Sequence, residues 1–187
     1  MSSLCLYKQS IEKKIKKIIC AKTKPYIHEY TVFGDNCDDT IEDLKIAFKQ
    51  RQRQMKEGAI AQVSMGNFYG WKDLKKGHES GLDIMKEDNS IICEIKNKHN
   101  TCNSGSLKTV LDKLALYKKK HPDTECVLGI VNPAITCKQL TTSIVHDGKE
   151  IKKIQGRDLF KLVFSHEDCD YSEDVIKFVN KLMKDFS

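Results

Sequence analysis

Apolar residues recur along the first third of the chain at spacings that predict helices. Isoleucines at helical spacing predict a first helix over residues 8–20. A second apolar stripe predicts a helix from Asp38 or Asp39 to about residue 57, where Gly58 should stop it. Residues 59–65 fit either a helix or a strand. Glycines after them indicate loops around Trp71, the single tryptophan.

The second half predicts strands and helices in alternation. A near-continuous apolar run at residues 126–131 is typical of a strand covered on both faces, and its place after a helix makes it a candidate parallel neighbour of the preceding strand. Asp147–Gly148 is a strong hairpin-turn signal. We therefore expect an α/β fold with a small mixed sheet and helices packed on it. The remaining predicted elements are a helix over 106–120, strands over 141–146 and 149–154, a short helix from 157, and a last helix from Ser172.

A hairpin is predicted where two short apolar runs, residues 82–85 and 91–96, flank a polar stretch. An Asp88–Asn89 turn suits this connection because both residue types tolerate positive φ. Counting outward from this turn fixes which residues face each other across the two strands. The predicted pairs are Met85 with Ile92, Ile84 with Cys93, and Asp83 with Glu94.

Strand alternation then places Asp83, Glu94 and Lys96 on one face of this hairpin. Two carboxylates directly opposite each other destabilise a sheet, whereas a divalent cation would turn the same pair into a binding site. The solvated alternative is that Glu-x-Lys is simply an exposed ion pair on a strand. The opposite face is predicted to carry Leu82, Ile84, Cys93 and Ile95.

If the carboxylates hold Mg²⁺, Asp83 and Glu94 are its direct ligands and the backbone carbonyl of Ile95 can complete the shell. Glu79 is a further candidate ligand nearby in the sequence. Lys96 would orient or help deprotonate an attacking water, or stabilise charge that grows on a phosphate. This combination of groups is suited to phosphodiester hydrolysis.

The polar residues 97–101 directly follow the acidic strand. Asparagine, lysine and histidine side chains are types that contact phosphates and base edges in DNA. An ordinary polar loop is the alternative explanation of the same residues. The stretch therefore indicates a DNA contact only in combination with the acidic site.

Composition narrows the class of protein. The chain has 187 residues, enough for a single domain with a real core, and a net charge of +6. Lysines outnumber acids in the first 24 residues, which favours a polyanionic partner such as nucleic acid. No apolar run approaches a membrane span, and no signal peptide is recognisable. Eight cysteines without a Cys-x-x-Cys pair indicate free thiols in a reducing, cytoplasmic setting.

The hairpin residues also resemble a known active site. Leu82-Asp83…Glu94-Ile95-Lys96 is similar to the motif of the PD-(D/E)XK nuclease superfamily. The longer stretch from Glu94 through Thr101 and on to Asn103–Ser106 resembles a family of type II restriction endonucleases that cut GGNCC- and GGWCC-like sites. The resemblance extends over roughly residues 59–165, including Gln62…Gly66…Gly70-Trp71 and Gly156-Arg157-Asp158-Leu159-Phe160.

This resemblance implies one nuclease domain over residues 1–187, with a helical part (1–58), a PD-(D/E)XK nuclease-like core (59–165) and a C-terminal helix (166–187). It implies a Mg²⁺-dependent endodeoxyribonuclease that cuts both strands at a short palindromic site, with a DNA methyltransferase as genetic partner. A two-fold site is most simply bound by a homodimer. The implied catalytic residues are Asp83, Glu94 and Lys96, and the implied DNA contacts are Asn97, Lys98, His99, Asn100, Ser104, Lys108 and Gln62.

Two other classes of function stay open at this stage. A nuclease of the same fold could act in repair, recombination or junction resolution. A DNA-binding module without catalysis would carry the same basic residues but would show no Mg²⁺-dependent cleavage.

Overall fold

The computed structural model describes residues 3–21, 41–75, 77–98 and 104–186. These residues form an α/β structure in which a six-stranded mixed sheet is flanked by helices, as the sequence predicts. The helices are α1 (Ser3–Ile19), α2 (Ile41–Met65), α3 (Ser104–Lys120), α4 (Gly156–Phe164) and α5 (Ser172–Phe186). The sheet strands are β1 (Trp71–Asp73), β2 (Ile84–Lys86), β3 (Ile91–Lys98), β4 (Glu125–Asn132), β5 (Thr141–His146) and β6 (Lys149–Gln155), and β7 (Ser165–His166) with β8 (Cys169–Asp170) form a separate hairpin.

The sheet order is β1-β2-β3-β4-β6-β5. The first three strands are antiparallel neighbours, β4 runs parallel to β3, and β6 runs parallel to β4. Helix α3 connects the parallel pair β3 and β4, so the predicted parallel neighbour is confirmed. The β5–β6 hairpin is confirmed as well, because Asp147 and Gly148 both adopt positive φ, 48° and 67°.

Two buried clusters cover the two faces of the sheet. One contains side chains of α1, α2, α4 and α5 together with Ile84, Cys93 and Ile95. The other contains α3 together with Met85 and Ile92. Neighbouring residues of β2 and β3 thus enter opposite clusters, as a strand covered on both faces requires. The site described below lies where this double cover ends.

Helix α2 corrects one boundary of the sequence prediction. It runs without interruption from Ile41 to Met65, so Gly58 does not stop it, and residues 59–65 are helical. The proposed division after residue 58 therefore falls inside a helix. A Cβ at Gly58 would lie 3.9 Å from Cβ of Asn97, which places this turn of α2 close against β3. The predicted start at Asp38 or Asp39 lies outside the described residues.

Two short paired segments were not predicted. Strand β1 follows the glycines around Trp71, and the β7–β8 hairpin follows α4. Each of these three strands has only two or three residues, which is too short for alternation to be visible in a sequence. Among the described residues, no helix combines the length and apolarity that a membrane span needs, and all six described cysteines are free thiols.

Gly129 and Gly58 make a matched test of this packing. A Cβ at Gly129 would lie 2.8 Å from Cδ1 of Ile95 and 3.0 Å from Cδ1 of Leu159, whereas a Cβ at Gly58 makes only an ordinary contact. We expect Gly129→Ala to lower the free energy of unfolding by about 1–3 kcal/mol through overpacking. Gly58→Ala, inside a helix, should raise it by about 0.5–1 kcal/mol. Urea unfolding monitored by circular dichroism measures both, and equal effects of the two changes would contradict this packing.

Candidate active site

The β2–β3 hairpin has the register that its sequence predicts. Ile84 pairs with Cys93 and Met85 with Ile92. The turn differs in detail, because the N–H of Asn89 donates to the carbonyl of Lys86 at 2.9 Å and Asn89 alone of the two predicted turn residues has positive φ. The register is unchanged by this difference. Continued by one residue, it brings Asp83 opposite Glu94.

The regular β2–β3 pairing does not include Asp83. Strand β2 begins at Ile84, and Gly81 has a φ of +61°, so the chain turns as it enters the strand. Leu82 consequently packs in the α3 cluster and not with Ile84 and Cys93, which corrects the predicted face of Leu82. Strict alternation fails at Leu82 because residues 81 and 82 precede the ladder, whereas Asp83 still bonds to Cys93.

Asp83 forms two hydrogen bonds with the backbone of β3, one through its own backbone and one through its side chain. Its N–H donates to the carbonyl of Cys93 at 3.0 Å, and its Oδ2 accepts the N–H of Ile95 at 2.7 Å. Burial, and after it the charge of Glu94, raises the pKa of Asp83 to about 6 from an ordinary 3.8. The N–H of Ile95 and the ammonium groups of Lys96 and Lys113 act against this rise. Asp83 therefore lies close to a second carboxylate in a place where water screens it poorly.

Glu94 is buried, with 5% of its surface exposed, and its two oxygens differ. Oε1 accepts a hydrogen bond from the ammonium of Lys96 at 2.6 Å. Oε2 is buried and has no hydrogen-bond partner among the residues that the structure describes. A buried carboxylate oxygen without a partner carries a high desolvation cost, so this atom requires a further explanation.

A divalent cation fits this set of oxygens. Mg²⁺ takes hard oxygen ligands and often binds through only one or two carboxylates. Asp83 and Glu94 supply the carboxylates, and the N–H and C=O of Ile95 point to the same side of β3 because a strand residue directs both groups toward one neighbour. That side is where Asp83 binds the N–H of Ile95, beyond the last β2–β3 pair. The carbonyl of Ile95 is thus placed on the acidic side of the strand.

Lys113 is a charged residue near the site that sequence reasoning missed. It lies on α3, and its ammonium donates to the carbonyl of Gly81 at 3.2 Å. No spacing in the sequence relates it to Asp83, because the two residues are 30 positions apart and β2, β3 and the start of α3 lie between them. Only the structure shows that a second lysine ammonium lies near Asp83, in addition to that of Lys96.

Asn97 does not have the position expected of a DNA contact. It is buried, and strand alternation puts it on the face opposite Glu94 and Lys96. Its amide nitrogen donates to the carbonyl of Gln54 and to Glu57, and its amide oxygen accepts from Asn132 at 2.8 Å. Asn97 therefore joins α2 to β3 and β4, and this buried position corrects the prediction that it contacts DNA.

The other predicted DNA contacts lie in several places. Lys98 is half-buried at the end of β3 and follows Glu94 and Lys96 at alternate positions. Lys108 is ion-paired with Asp112 on the surface of α3. Gln62 donates to Asp73 at 3.2 Å and so links α2 to β1. His99 and Asn100 lie outside the described residues. Ser104 is the first residue of α3, and its side chain lies outside the described part as well.

Glu79 does not complete a carboxylate cluster. It is exposed in the turn before Gly81, and its charge acts on Tyr117 of α3. In the described ranges, the group of three metal-type side chains with ligand atoms within 4.8 Å of one another is Asp112, His146 and Asp147. Asp112 already accepts hydrogen bonds from His146 at 2.7 Å and from Lys108 at 2.9 Å, which hold its pKa below the ordinary value. This group ties α3 to the β5–β6 hairpin and is separate from the acidic pair on the β2–β3 hairpin.

Comparison with known proteins identifies the family. The model of the Eco47II restriction endonuclease family matches residues 5–178, most of the chain and all of the sheet. The chain belongs to the Eco47II restriction endonuclease family. A curated relative, the type II restriction enzyme Sau96I of Staphylococcus aureus, is 33% identical over 69 residues, which are 37% of this chain and 26% of that protein. The chain thus matches only about a quarter of the length of this relative. No solved structure matches the chain.

The raised pKa of Asp83 predicts a cost in stability at neutral pH. A carboxyl whose pKa is raised on folding contributes stability that is present below about pH 4 and is lost as the pH rises through 6. In EDTA at pH 7, Asp83→Asn should therefore raise the free energy of unfolding by about 1–2 kcal/mol, which is discounted because the side chain retains some solvent contact.

Urea unfolding at pH 7 and pH 4 measures this effect. The gain should vanish at pH 4, where the wild-type carboxyl is protonated. Asp123→Asn, in an exposed turn, is the matched control and should change the free energy by less than about 0.5 kcal/mol at either pH. A loss of stability in Asp83→Asn at pH 7 would contradict the electrostatic description of the site.

Proposed function

We propose that this protein is a type II restriction endonuclease that hydrolyses phosphodiester bonds of double-stranded DNA at a short specific site with the help of Mg²⁺. The observation that carries the proposal is the pair formed by Asp83 and Glu94, in which the buried Oε2 of Glu94 lies near a second carboxylate and has no partner among the described residues. Membership in the Eco47II restriction endonuclease family supports the same activity.

The residues of the hairpin have separate roles in this reaction. Asp83, Glu94 and the carbonyl of Ile95 would hold the metal ion. When bound, Mg²⁺ activates water and neutralises charge on the oxygens of the phosphate. Lys96, held at 2.6 Å by Glu94, keeps its ammonium on the face of the two carboxylates, where it orients the attacking water and stabilises the negative charge that develops on the phosphate.

Recognition requires contacts outside the hairpin. Lys98 continues the Glu94–Lys96 face toward the end of β3 and is the described residue best placed to meet the DNA. His99, Asn100 and Ser104 follow it in the sequence and remain proposed contacts, with Lys108 and Gln62 as more distant ones. We propose a GGNCC-like palindromic site. A DNA methyltransferase that protects the same site would be the genetic partner.

A palindromic site is most simply bound by two copies of the chain related by a two-fold axis. We therefore expect a homodimer, with one Asp83–Glu94 pair for each DNA strand. Sedimentation equilibrium should give about twice the 21.4 kDa mass of one chain. A monomer that remains monomeric on its DNA and cuts both strands would contradict the proposed arrangement.

Digestion of phage DNA tests the activity. With Mg²⁺, the wild type should produce a discrete band pattern, and sequencing of the fragment ends gives the site. Lys96→Met should lower the cleavage rate by about 10²–10³ while DNA binding in a band-shift assay persists, because the ammonium acts on charge that develops during the reaction. Lys152→Met is the matched control, since Lys152 on β6 forms an ion pair with Glu125 on β4, as Lys96 does with Glu94.

The outcomes separate the candidate functions. Nicking that depends on DNA structure and not on sequence would favour a repair or junction nuclease. Binding without cleavage at any Mg²⁺ concentration would favour a DNA-binding module. An equal loss of cleavage in Lys96→Met and Lys152→Met would assign the effect to general instability and would contradict the role of Lys96.

A further inference from the structure

The turn that precedes Asp83 is stabilised by local hydrogen bonds. The N–H of Gly81 donates to the carbonyl of His78 at 2.9 Å, and the N–H of Leu82 donates to Oγ of Ser80 at 3.2 Å. The side chain of Leu82 is buried in the α3 cluster. The φ of Gly81, +61°, is one that favours glycine. The turn is thus a defined structure and not a loose connection.

The carbonyl of Gly81 connects this turn to α3 through Lys113. The ammonium of Lys113 donates to that carbonyl at 3.2 Å, and Gly81 is only two residues before Asp83. The same ammonium lies near enough to the Asp83 carboxylate for its charge to act there. Asp83 itself has bonds to β3 on its other side, at Cys93 and Ile95. The carbonyl of Asp83 also accepts the N–H of Leu74 at 2.9 Å, so the backbone at Asp83 is held by β3 and Leu74. The bond from Lys113 holds the turn that precedes it.

We propose, on the basis of the nuclease function proposed above, that Lys113 is a positioning residue of the metal site, which fixes the Gly81 carbonyl so that the carboxylate of Asp83 stays aligned with Glu94. Lys113 is exposed, and its hydrogen bond goes to the carbonyl of Gly81 and not to a proposed metal-ligand atom. It acts through Gly81, as residues behind metal ligands commonly do.

The direction of the effect makes the proposal testable. Removal of the ammonium takes away a positive charge, and that change alone would strengthen the binding of a divalent cation. Removal of the bond to Gly81 loosens the turn that leads into Asp83, and a less well-ordered Asp83 carboxylate would weaken binding. Because the two effects have opposite signs, weaker metal binding in a variant without the ammonium identifies positioning as the dominant contribution.

Helix α3 provides a matched control. Lys118 also donates its ammonium to a backbone carbonyl, that of Thr124, at 2.9 Å. It lies five residues further along α3, and its charge is not among those that act on Asp83. Lys118→Met therefore removes a comparable bond and the same charge from the same helix without changing the turn at Gly81.

Electron paramagnetic resonance of free Mn²⁺ measures metal binding without any need for cleavage. Mn²⁺ is a suitable probe because it accepts the same oxygen ligands as Mg²⁺. The binding that wild type shows and Glu94→Gln lacks defines the site. Lys113→Met should weaken this binding about tenfold. Lys113→Arg should restore it to within about threefold of wild type, and Lys118→Met should leave it unchanged. At saturating Mg²⁺, the cleavage rate of Lys113→Met should approach that of wild type.

Several outcomes would overturn the inference. Mn²⁺ binding by Lys113→Met that equals or exceeds that of wild type would show that positioning is not the dominant effect. Unchanged Mn²⁺ binding with weaker DNA binding would identify Lys113 as a phosphate contact instead. Absence of any Glu94-dependent Mn²⁺ binding in wild type would instead contradict the proposed nuclease function itself. If wild type binds Mn²⁺ and cuts DNA, and Lys113→Met binds Mn²⁺ as wild type does, only the inference about Lys113 is rejected.

Discussion

Asp83 and Glu94 repel each other in a part of the molecule where burial limits the screening of their charges by water. The repulsion contributes to the raised pKa of Asp83. It is partly offset by the hydrogen bond from the N–H of Ile95 and by the positive charges of Lys96 and Lys113. The offset is incomplete, since Oε2 of Glu94 has no partner among the described residues. The metal ion that we propose for this site would offset the cost of the pair.

The fold produces this arrangement through the point at which one strand stops. β3 is covered on both faces and is paired with β4 along most of its length, so its backbone is rigid. β2 begins only at Ile84, and the backbone of Ile95 is therefore bound by the Asp83 side chain and not by a strand neighbour. The β3 residues up to Cys93 build the core. After Cys93, the alternate residues Glu94, Lys96 and Lys98 carry the charged groups.

Local sequence was sufficient for the centre of the site and insufficient for its surroundings. A short polar turn between two apolar runs determines the pairing, and alternation then brings Asp83, Glu94 and Lys96 together. The same rule misplaced Leu82, because Gly81 turns the chain out of the ladder. Asn97 was predicted from its residue type, but its face directs it into α2. Lys113 could not be predicted, since its relation to Asp83 arises only when α3 packs on the sheet.

Anomalous diffraction from crystals soaked in Mn²⁺ tests the central claim most directly, because it locates the ion without reference to activity. We predict one strong peak per chain within coordination distance of Oε2 of Glu94 and a carboxylate oxygen of Asp83. A peak only at Asp112, His146 and Asp147, or Asp83 and Glu94 without a peak at saturating Mn²⁺, would contradict the claim that this acidic pair is a metal site.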